Sequence, residues 1–241
     1  MKIALCLHGL FNSQYDLSST GVDGYEYIKR NILDKADVDV FIHSWEQEKE
    51  EYINSIYKPK ISKFEKQIDF STIAKERNLY QLHYSPRPPE VILSHFYSVS
   101  EVMKLPYTVS ENYDIIIKSR FDLGRINRNT SGPGHQNPYP VQCINLQTTI
   151  DNNSIYTANW NHFRMGPADM WFYGSPKIMN NFTKLYSYLF DNLYIGSEFH
   201  HFATNIEGNP GDLSNSIAFY KFWMMKNNLW DKLIKLDTIW E

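Results

Sequence analysis

Three short, mostly apolar runs limit the fold of this chain more than any other feature. They are Ile3–Leu7, Val38–Ile42 and Ile115–Ile117, and polar residues follow each of them within a few positions. Such runs are typical of strands that a parallel sheet buries on both faces. Between the first two, Tyr25–Leu33 carries apolar residues at helical spacing. The order strand, helix, strand predicts a right-handed βαβ unit and therefore an α/β fold.

Local patterns predict the remaining elements. In chain order, we expect helical or partly mobile structure over Glu46–Asn78, a helix over Glu90–Leu105, a loop over Asn127–Pro140, short strands over Val141–Leu146 and Ser154–Asn159, and a helix that follows Ser175 and begins at Pro176. The carboxyl ends of parallel strands meet at one edge of a sheet, and open α/β sheets bind their ligands at that edge. Residues just after the strands are therefore the first candidates for a site.

Size, charge and cysteine content narrow the class of protein. The 241 residues are 42% hydrophobic, which is enough for one sizeable core, so we expect a single domain. A formal net charge of −3 argues against binding to nucleic acid or to an anionic membrane surface. No apolar run approaches the ~20 residues that span a bilayer. Cys6 and Cys143 lie in separate apolar stretches, as buried free thiols of a reducing compartment do, and a cytoplasmic location is expected.

Arg120 and Asp122 are the strongest candidates, because they directly follow the third apolar run. A carboxylate held rigidly at the sheet edge can coordinate a divalent cation that bridges the phosphates of a nucleotide diphosphate. Arg120 can bond the same phosphates. We therefore predict that both residues bind the cofactor and that Asp122 ligates a metal. An Arg–Asp pair that only closes the strand is an equally good interpretation.

The first two strands end in a second set of candidates. His8 and Gly9 follow the first strand, and His43 and Trp45 follow the second. Glycine lets a ligand approach the backbone, and an aromatic ring or a histidine can stack on a nucleobase. We predict that these four residues face a bound nucleotide, although a histidine at a strand end is more often structural.

Asp169 and Glu198 are the two candidates for a catalytic base. Asp169 precedes Trp171, and a carboxylate beside an aromatic ring suits a site where a sugar hydroxyl loses its proton while the ring packs on the sugar. A loop aspartate that bonds its own backbone is equally plausible. His200 and His201 are adjacent, a spacing that disfavours a zinc site. The absence of Gly-x-Gly-x-x-Gly, P-loop and Gly-x-Ser-x-Gly motifs disfavours dinucleotide oxidoreductases, P-loop transferases and serine hydrolases.

Six segments, in this order, resemble a known family. They are Ile3–Gly9, Asp39–Trp45, Phe96–Ser100, Tyr113–Leu123, Asp169–Ser175 and Ser197–Glu198. Together they are similar to the glycosyltransferase-like proteins of bacterial polysaccharide loci and of large viruses and phages, which are related to the WavE type of lipopolysaccharide synthesis protein.

The resemblance implies a GT-A-like (Rossmann-like) α/β domain over residues 1–241, with a mostly parallel central sheet flanked by helices. Residues 1–125 would form the nucleotide-binding half and 126–241 the acceptor-binding half. It implies sugar transfer from a nucleotide-sugar donor to a glycan or glycoconjugate acceptor in polysaccharide biosynthesis, with Mn²⁺ or Mg²⁺ at the diphosphate.

The chain departs from the family pattern at two places. Arg120 stands where the first aspartate of the Asp-x-Asp metal motif is expected, and Phe11 and Asn12 stand where an arginine would reach the donor phosphates. A nucleotide- or glycan-binding module without turnover is therefore the main alternative. A nucleotidyltransferase is a third interpretation, but it would normally carry a glycine-rich basic loop after the first strand.

Overall fold

The three apolar runs form strands of one seven-stranded sheet. The structure is a computed structural model that describes residues 1–11, 21–82, 88–124, 143–147, 149–160, 163–206 and 211–237, with backbone only at 21–23 and 82. The strands are β1 Lys2–Gly9, β2 Asp37–Ser44, β3 Ile61–Phe64, β4 Ile115–Arg120, β5 Ile155–Ala158, β6 Trp171–Gly174 and β7 Leu233–Leu236. Their order across the sheet is β3-β2-β1-β4-β6-β5-β7.

Helices connect and cover these strands. The α-helices are α1 Gly21–Ile28, α2 Glu50–Tyr57, α3 Ser71–Glu76, α4 Val91–Lys104, α5 Pro176–Met179, α6 Leu185–Asn192, α7 Glu198–Thr204 and α8 Ser216–Lys226. Helix α1 continues as a π-helix over Lys29–Leu33, and 3-10 turns occupy Gln47–Lys49, Leu79–Leu82, Leu105–Thr108, Asn180–Lys184 and Trp230–Lys232. None of the helices in the described ranges has the length and hydrophobicity that a membrane span requires.

Most of the sheet is parallel. Strands β3, β2, β1 and β4 run parallel to their neighbours, and β5 is parallel to β7. Strand β6 lies antiparallel to both β4 and β5, so it is the one reversed strand among those described. The predicted α/β class, with a mostly parallel central sheet flanked by helices, is confirmed.

Alternation along β1 divides the core between the two faces of the sheet. Ile3, Leu5 and Leu7 pack on one face with α1 and α2 residues such as Ile28 and Ile53. Ala4 and Cys6 pack on the other face, in the cluster that includes α4, α6, α7 and α8. Because side chains alternate along a strand, a continuous apolar run supplies both clusters. The result is a helix–sheet–helix sandwich.

Two of the predicted elements are wrong in part. The segment Glu46–Asn78 is not helical throughout, because Ile61–Phe64 forms the short edge strand β3 beside β2. No strand is present at the described residues 143–147, where part of Val141–Leu146 was predicted. Residues 141–142 and the predicted loop Asn127–Pro140 lie outside the described residues. The strand within Ser154–Asn159 and the helix that begins at Pro176 are confirmed.

Candidate functional site

A cleft of about 420 Å³ opens at the sheet edge where β1 and β4 end. The chain continues from β1 to β2 on one side, and β4 lies on the other side of β1. The ends of these strands are therefore a topological switch point, where open α/β sheets bind ligands. Six predicted site residues line the cleft: His8, Gly9, Trp45, Arg120, Asp122 and Asp169. His43 and Glu198 are not among its lining residues.

Arg120 holds two of the carboxylates that line the cleft, those of Asp122 and Asp169. Its Nε donates to Asp122 Oδ1 at 2.8 Å and its Nη2 donates to Oδ2 at 2.7 Å. Its Nη1 lies 3.7 Å from Asp169 Oδ1. Since β6 runs antiparallel to β4, it begins at the edge where β4 ends, and Asp169 lies just ahead of it. The reversed strand therefore brings Asp169 beside Arg120.

Helix α8 holds the other oxygen of Asp169. The hydroxyl of Ser216, its first residue, donates to Asp169 Oδ2 at 3.1 Å. The side chain of Asn215 caps this helix end by accepting from the backbone N–H groups of Ile217 and Ala218. The amino end of a helix stabilises a nearby negative charge. Asp169 is thus fixed by a guanidinium on one side and a helix terminus on the other.

A fully buried lysine supports Asp169 from within the protein. Lys118 on β4 is 0% exposed, and its Nζ donates to the backbone carbonyl of Asp169. The same Nζ lies 5.5 Å and 5.6 Å from the ring centroids of Phe172 and Tyr220. Burial lowers the pKa of Lys118 from 10.5 to about 7, although the negative charge of Asp169 opposes the shift. A lysine this deeply buried is rare in proteins.

Neutral imidazoles lie beside these charges. His8 and His95 form an edge-to-face pair with ring centroids 5.2 Å apart. Burial lowers the pKa of His8 and of His95 well below the usual histidine value, so both rings are neutral at pH 7. Burial alone would raise the pKa of Asp169, but the neighbouring Arg120 and Lys118 outweigh it, and the pKa lies below its usual value. The cleft therefore combines an ionised carboxylate with uncharged rings.

The two ring nitrogens of His8 are buried without hydrogen bonds to the described residues. His8 is 2% exposed, and neither ring nitrogen has a hydrogen-bond partner among the described residues. A buried polar atom without a partner costs about 1–3 kcal/mol. A ligand that formed a hydrogen bond with one of these nitrogens would remove that cost, provided that the cleft wall opened enough to admit it.

A chain of hydrogen bonds fixes the backbone of Gly9 at the cleft. The N–H of Gly9 donates to Ser98 Oγ at 3.1 Å, Ser98 Oγ lies 2.7 Å from His43 Nδ1, and His43 Nε2 lies 2.9 Å from Glu65 Oε1. Burial lowers the pKa of His43, so the ring is neutral at pH 7. Since the Glu65 carboxylate can only accept, Nε2 carries the proton and Nδ1 accepts from the Ser98 hydroxyl. Ser98 is 0% exposed, so this chain positions Gly9 and does not present a nucleophile.

We predict that Ser98→Ala lowers the free energy of unfolding by about 1–3 kcal/mol, because it leaves the Gly9 N–H and His43 Nδ1 without their partner. Urea unfolding of the variant measures the change. Ser187→Ala is the matched control, since the Ser187 hydroxyl donates to a backbone carbonyl on an exposed helix surface. Equal unfolding midpoints for the two variants would show that this chain of hydrogen bonds contributes no stability.

The two aromatic candidates of β2 occupy different places. Trp45 lines the cleft but is only 7% exposed, and it stacks on Tyr97 with ring centroids 5.3 Å apart. His43 is 0% exposed and lies behind Trp45, with ring centroids 4.9 Å apart. His43 thus supports the cleft wall, whereas Trp45 forms part of it.

Glu198 lies away from the cleft. Its side chain is 68% exposed and pairs with Lys226 at 2.8 Å. Lys226 is the last residue of α8, whereas the cleft residue Ser216 is the first. An 11-residue helix separates its two ends by roughly 15 Å. The structure therefore brings Asp169, and not Glu198, together with the other predicted site residues.

Trp171 does not offer a ring to a ligand beside Asp169, contrary to the sequence-based expectation. It is 1% exposed and stacks on Tyr173 with an interplanar angle of 17°. Trp171 is the first residue of the short strand β6, whose four residues are all buried. Its side chain belongs to the core cluster that also contains Phe121.

The predicted metal ligand is already bonded to a cation. Both oxygens of Asp122 accept from Arg120, and no group of three or more His, Cys, Asp or Glu side chains in the described ranges is arranged to hold a metal ion. In this arrangement the residues do not fit a divalent cation at Asp122. The metal remains a prediction that a binding measurement must test.

Comparisons with known proteins identify no family for the chain. No family model matches the sequence, and no curated protein matches it. Among solved structures, apo mouse xyloside xylosyltransferase 1 is similar over 98% of this chain and 84% of that chain, with 11% sequence identity and a TM-score of 0.45. A similarity at that level is not evidence for a shared activity, so the resemblance to WavE-type proteins stays a prediction.

Proposed function

We propose that this chain is a glycosyltransferase that moves a sugar from a nucleotide-sugar donor to a glycan or glycoconjugate acceptor. One observation carries the proposal: a partly exposed guanidinium and an ionised carboxylate lie 3.7 Å apart in a switch-point cleft. Both groups suit sugar transfer. A cation stabilises the departing diphosphate, and a carboxylate accepts the proton of the attacking hydroxyl.

The reaction needs two bond changes at the anomeric carbon. The acceptor oxygen forms a bond to that carbon, and the bond from the carbon to the donor phosphate oxygen breaks with its electron pair remaining on the diphosphate. The acceptor hydroxyl gives its proton to Asp169, which Ser216 and Arg120 hold in place. Arg120 lies where it can also bond the phosphate that leaves.

The nucleoside end of the donor has room beside Gly9. The backbone φ of Gly9 is +94°, a conformation that favours glycine. A β-carbon added to Gly9 would meet no atom within 4 Å. Open space next to a fixed backbone is what close approach of a ligand requires. Trp45 and the unpartnered His8 line the same cleft.

A second function, a binding module that keeps the donor intact, is favoured by one specific observation. The neighbouring cations hold the pKa of Asp169 below its usual value, although burial opposes them. A general base works best when its pKa is near the operating pH. A protein that only binds a nucleotide or glycan has no need of a stronger base.

Calorimetry and thermal shift with a panel of nucleoside diphosphates and nucleotide sugars test the proposal, because a ligand of the folded state raises the melting temperature by mass action. We expect one nucleotide family to bind, and Arg120→Gln to weaken it at least about tenfold. Arg30→Gln, which changes an exposed arginine of the π-helix, is the control and should bind as wild type does.

Product analysis then separates the two functions. A transferase releases the nucleoside diphosphate from the bound donor, by transfer or by slow hydrolysis, whereas a binding module leaves the donor intact. If no nucleotide stabilises the protein, or if Arg120→Gln binds like wild type, the proposed site is wrong.

A further inference from the structure

We infer that Arg120 is the built-in cation of this cleft: it takes the place of a divalent metal at Asp122, so that nucleotide binding requires no metal ion. The inference goes against the metal-dependent chemistry that the sequence predicts. The part about nucleotide binding rests on the proposed function. The part about metal affinity does not, because it concerns the protein without nucleotide.

Geometry is the first argument. A divalent ion bound by Asp122 must use at least one of its two oxygens, and both accept from the guanidinium at 2.7–2.8 Å. Paired hydrogen bonds between a guanidinium and a carboxylate are among the strongest polar contacts in proteins. The Asp122 side chain is only 15% exposed. A metal would therefore have to share or displace an internal, partly desolvated partner that already neutralises the carboxylate.

Charge is the second argument. Arg120 bonds Asp122, and its Nη1 lies 3.7 Å from Asp169 Oδ1, so a permanent cation already faces both carboxylates. A divalent ion between these carboxylates would meet the guanidinium at short range, and charge repulsion is strong where solvent is excluded. The guanidinium thus supplies positive charge that a metal would otherwise provide.

Arg120 also keeps donors for a ligand. The guanidinium has five N–H groups, of which two bond Asp122. Its side chain is 31% exposed, so part of it can reach a phosphate in the cleft. An arginine that neutralises a carboxylate on one edge and bonds a phosphate on the other performs both tasks of a bridging metal.

Manganese binding to the protein without nucleotide is the first test. We expect no Mn²⁺ binding to wild type in the micromolar range by calorimetry. Arg120→Asp removes the cation and creates a second carboxylate, so it should raise Mn²⁺ affinity at least about tenfold. Arg30→Asp makes the same charge change at an exposed position and should leave Mn²⁺ affinity unchanged. Micromolar Mn²⁺ binding to wild type that Asp122→Asn abolishes would overturn the inference, whether or not Arg120→Asp folds.

Nucleotide binding is the second test. The nucleoside diphosphate found by the panel should bind wild type with the same Kd, within about threefold, in EDTA and in MnCl₂. Binding that EDTA abolishes and Mn²⁺ restores would also overturn the inference. If no nucleotide binds in either condition, the proposed function fails, but the manganese titration still decides whether Arg120 replaces a metal.

Discussion

Replacing Asp169 by asparagine should lower kcat and kcat/KM together by roughly 10²–10⁴-fold while the donor still binds, because the change removes a group that accepts a proton only in the transition state. Asparagine keeps the size of the side chain and an oxygen that can accept from Ser216. Steady-state kinetics with the identified donor and acceptor measure the loss, and calorimetry measures donor affinity.

Glu198→Gln is the matched comparison, since it makes the same chemical change at the other predicted base. Glu198 is exposed and paired with Lys226, so we expect its variant to be close to wild type. Near-normal kcat in Asp169→Asn beside a collapsed kcat in Glu198→Gln would reverse the assignment. Normal rates in both variants would remove the general-base role from either residue.

The pH profile of wild type adds an independent check on Asp169. The acid limb of kcat/KM reports the pKa of the essential base in the free enzyme. Because the neighbouring cations lower the pKa of Asp169 from 3.8 in spite of its burial, that limb should lie below pH 3.8. An acid limb near pH 6 would point to another base.

The strands and the site edge could be predicted because each depends on a local pattern. Ile3–Leu7 and Ile115–Ile117 are apolar enough to predict buried strands, and the direction of a βαβ unit then places His8 and Arg120 at the same edge. The register partnership of His8 with Arg120 follows from that reasoning. Strand β3 escaped prediction because it has four residues, lies at the sheet edge and is surrounded in sequence by charges.

The partners of the site residues could not be predicted in the same way. His43 contacts Ser98 of α4 and Glu65, which follows β3. Asp169 contacts Ser216 of α8. These contacts exist only because the three segments meet at the sheet edge. No spacing in the sequence links them. One signal was present for Ser216, because an Asn–Ser pair before an apolar run indicates a helix start. The distance of Glu198 from the cleft depends likewise on the packing of α7 against α8.

Lys118 gave no sequence signal, because a lysine after three isoleucines is normally the point where a strand reaches solvent. The structure instead continues β4 to Arg120 and buries Lys118 against the Asp169 carbonyl and two aromatic rings. A lysine with a pKa of about 7 makes stability depend on pH. That dependence gives the second large effect we expect.

Lys118→Met should remove a pH-dependent contribution to stability that reaches several kcal/mol. The folded protein loses the Lys118 proton near pH 7, whereas the unfolded chain keeps it until about pH 10.5. Between these pH values the unfolded state binds more protons than the folded state. The contribution of Lys118 to the free energy of unfolding of wild type therefore rises with pH, by at most about 1.4 kcal/mol per pH unit. Methionine has a similar length and no proton to lose. The stability of wild type relative to Lys118→Met should therefore increase from pH 6 to pH 9.

Urea unfolding of both proteins at several pH values measures this difference, and groups that titrate alike in both proteins cancel from it. Six other polar or charged side chains face Lys118: Arg120, Asp122, Asp169, Tyr220, His8 and His95. Of these, the two histidines are already neutral, burial raises the pKa of Tyr220 well above its usual value, and Arg120 and Asp169 keep their charge across the range, so the slope belongs to Lys118. Lys177→Met changes an exposed lysine and should show a constant difference from wild type. A constant difference for Lys118→Met as well would mean that Lys118 keeps its proton in the folded protein, and that its bond to Asp169 does not change near neutral pH.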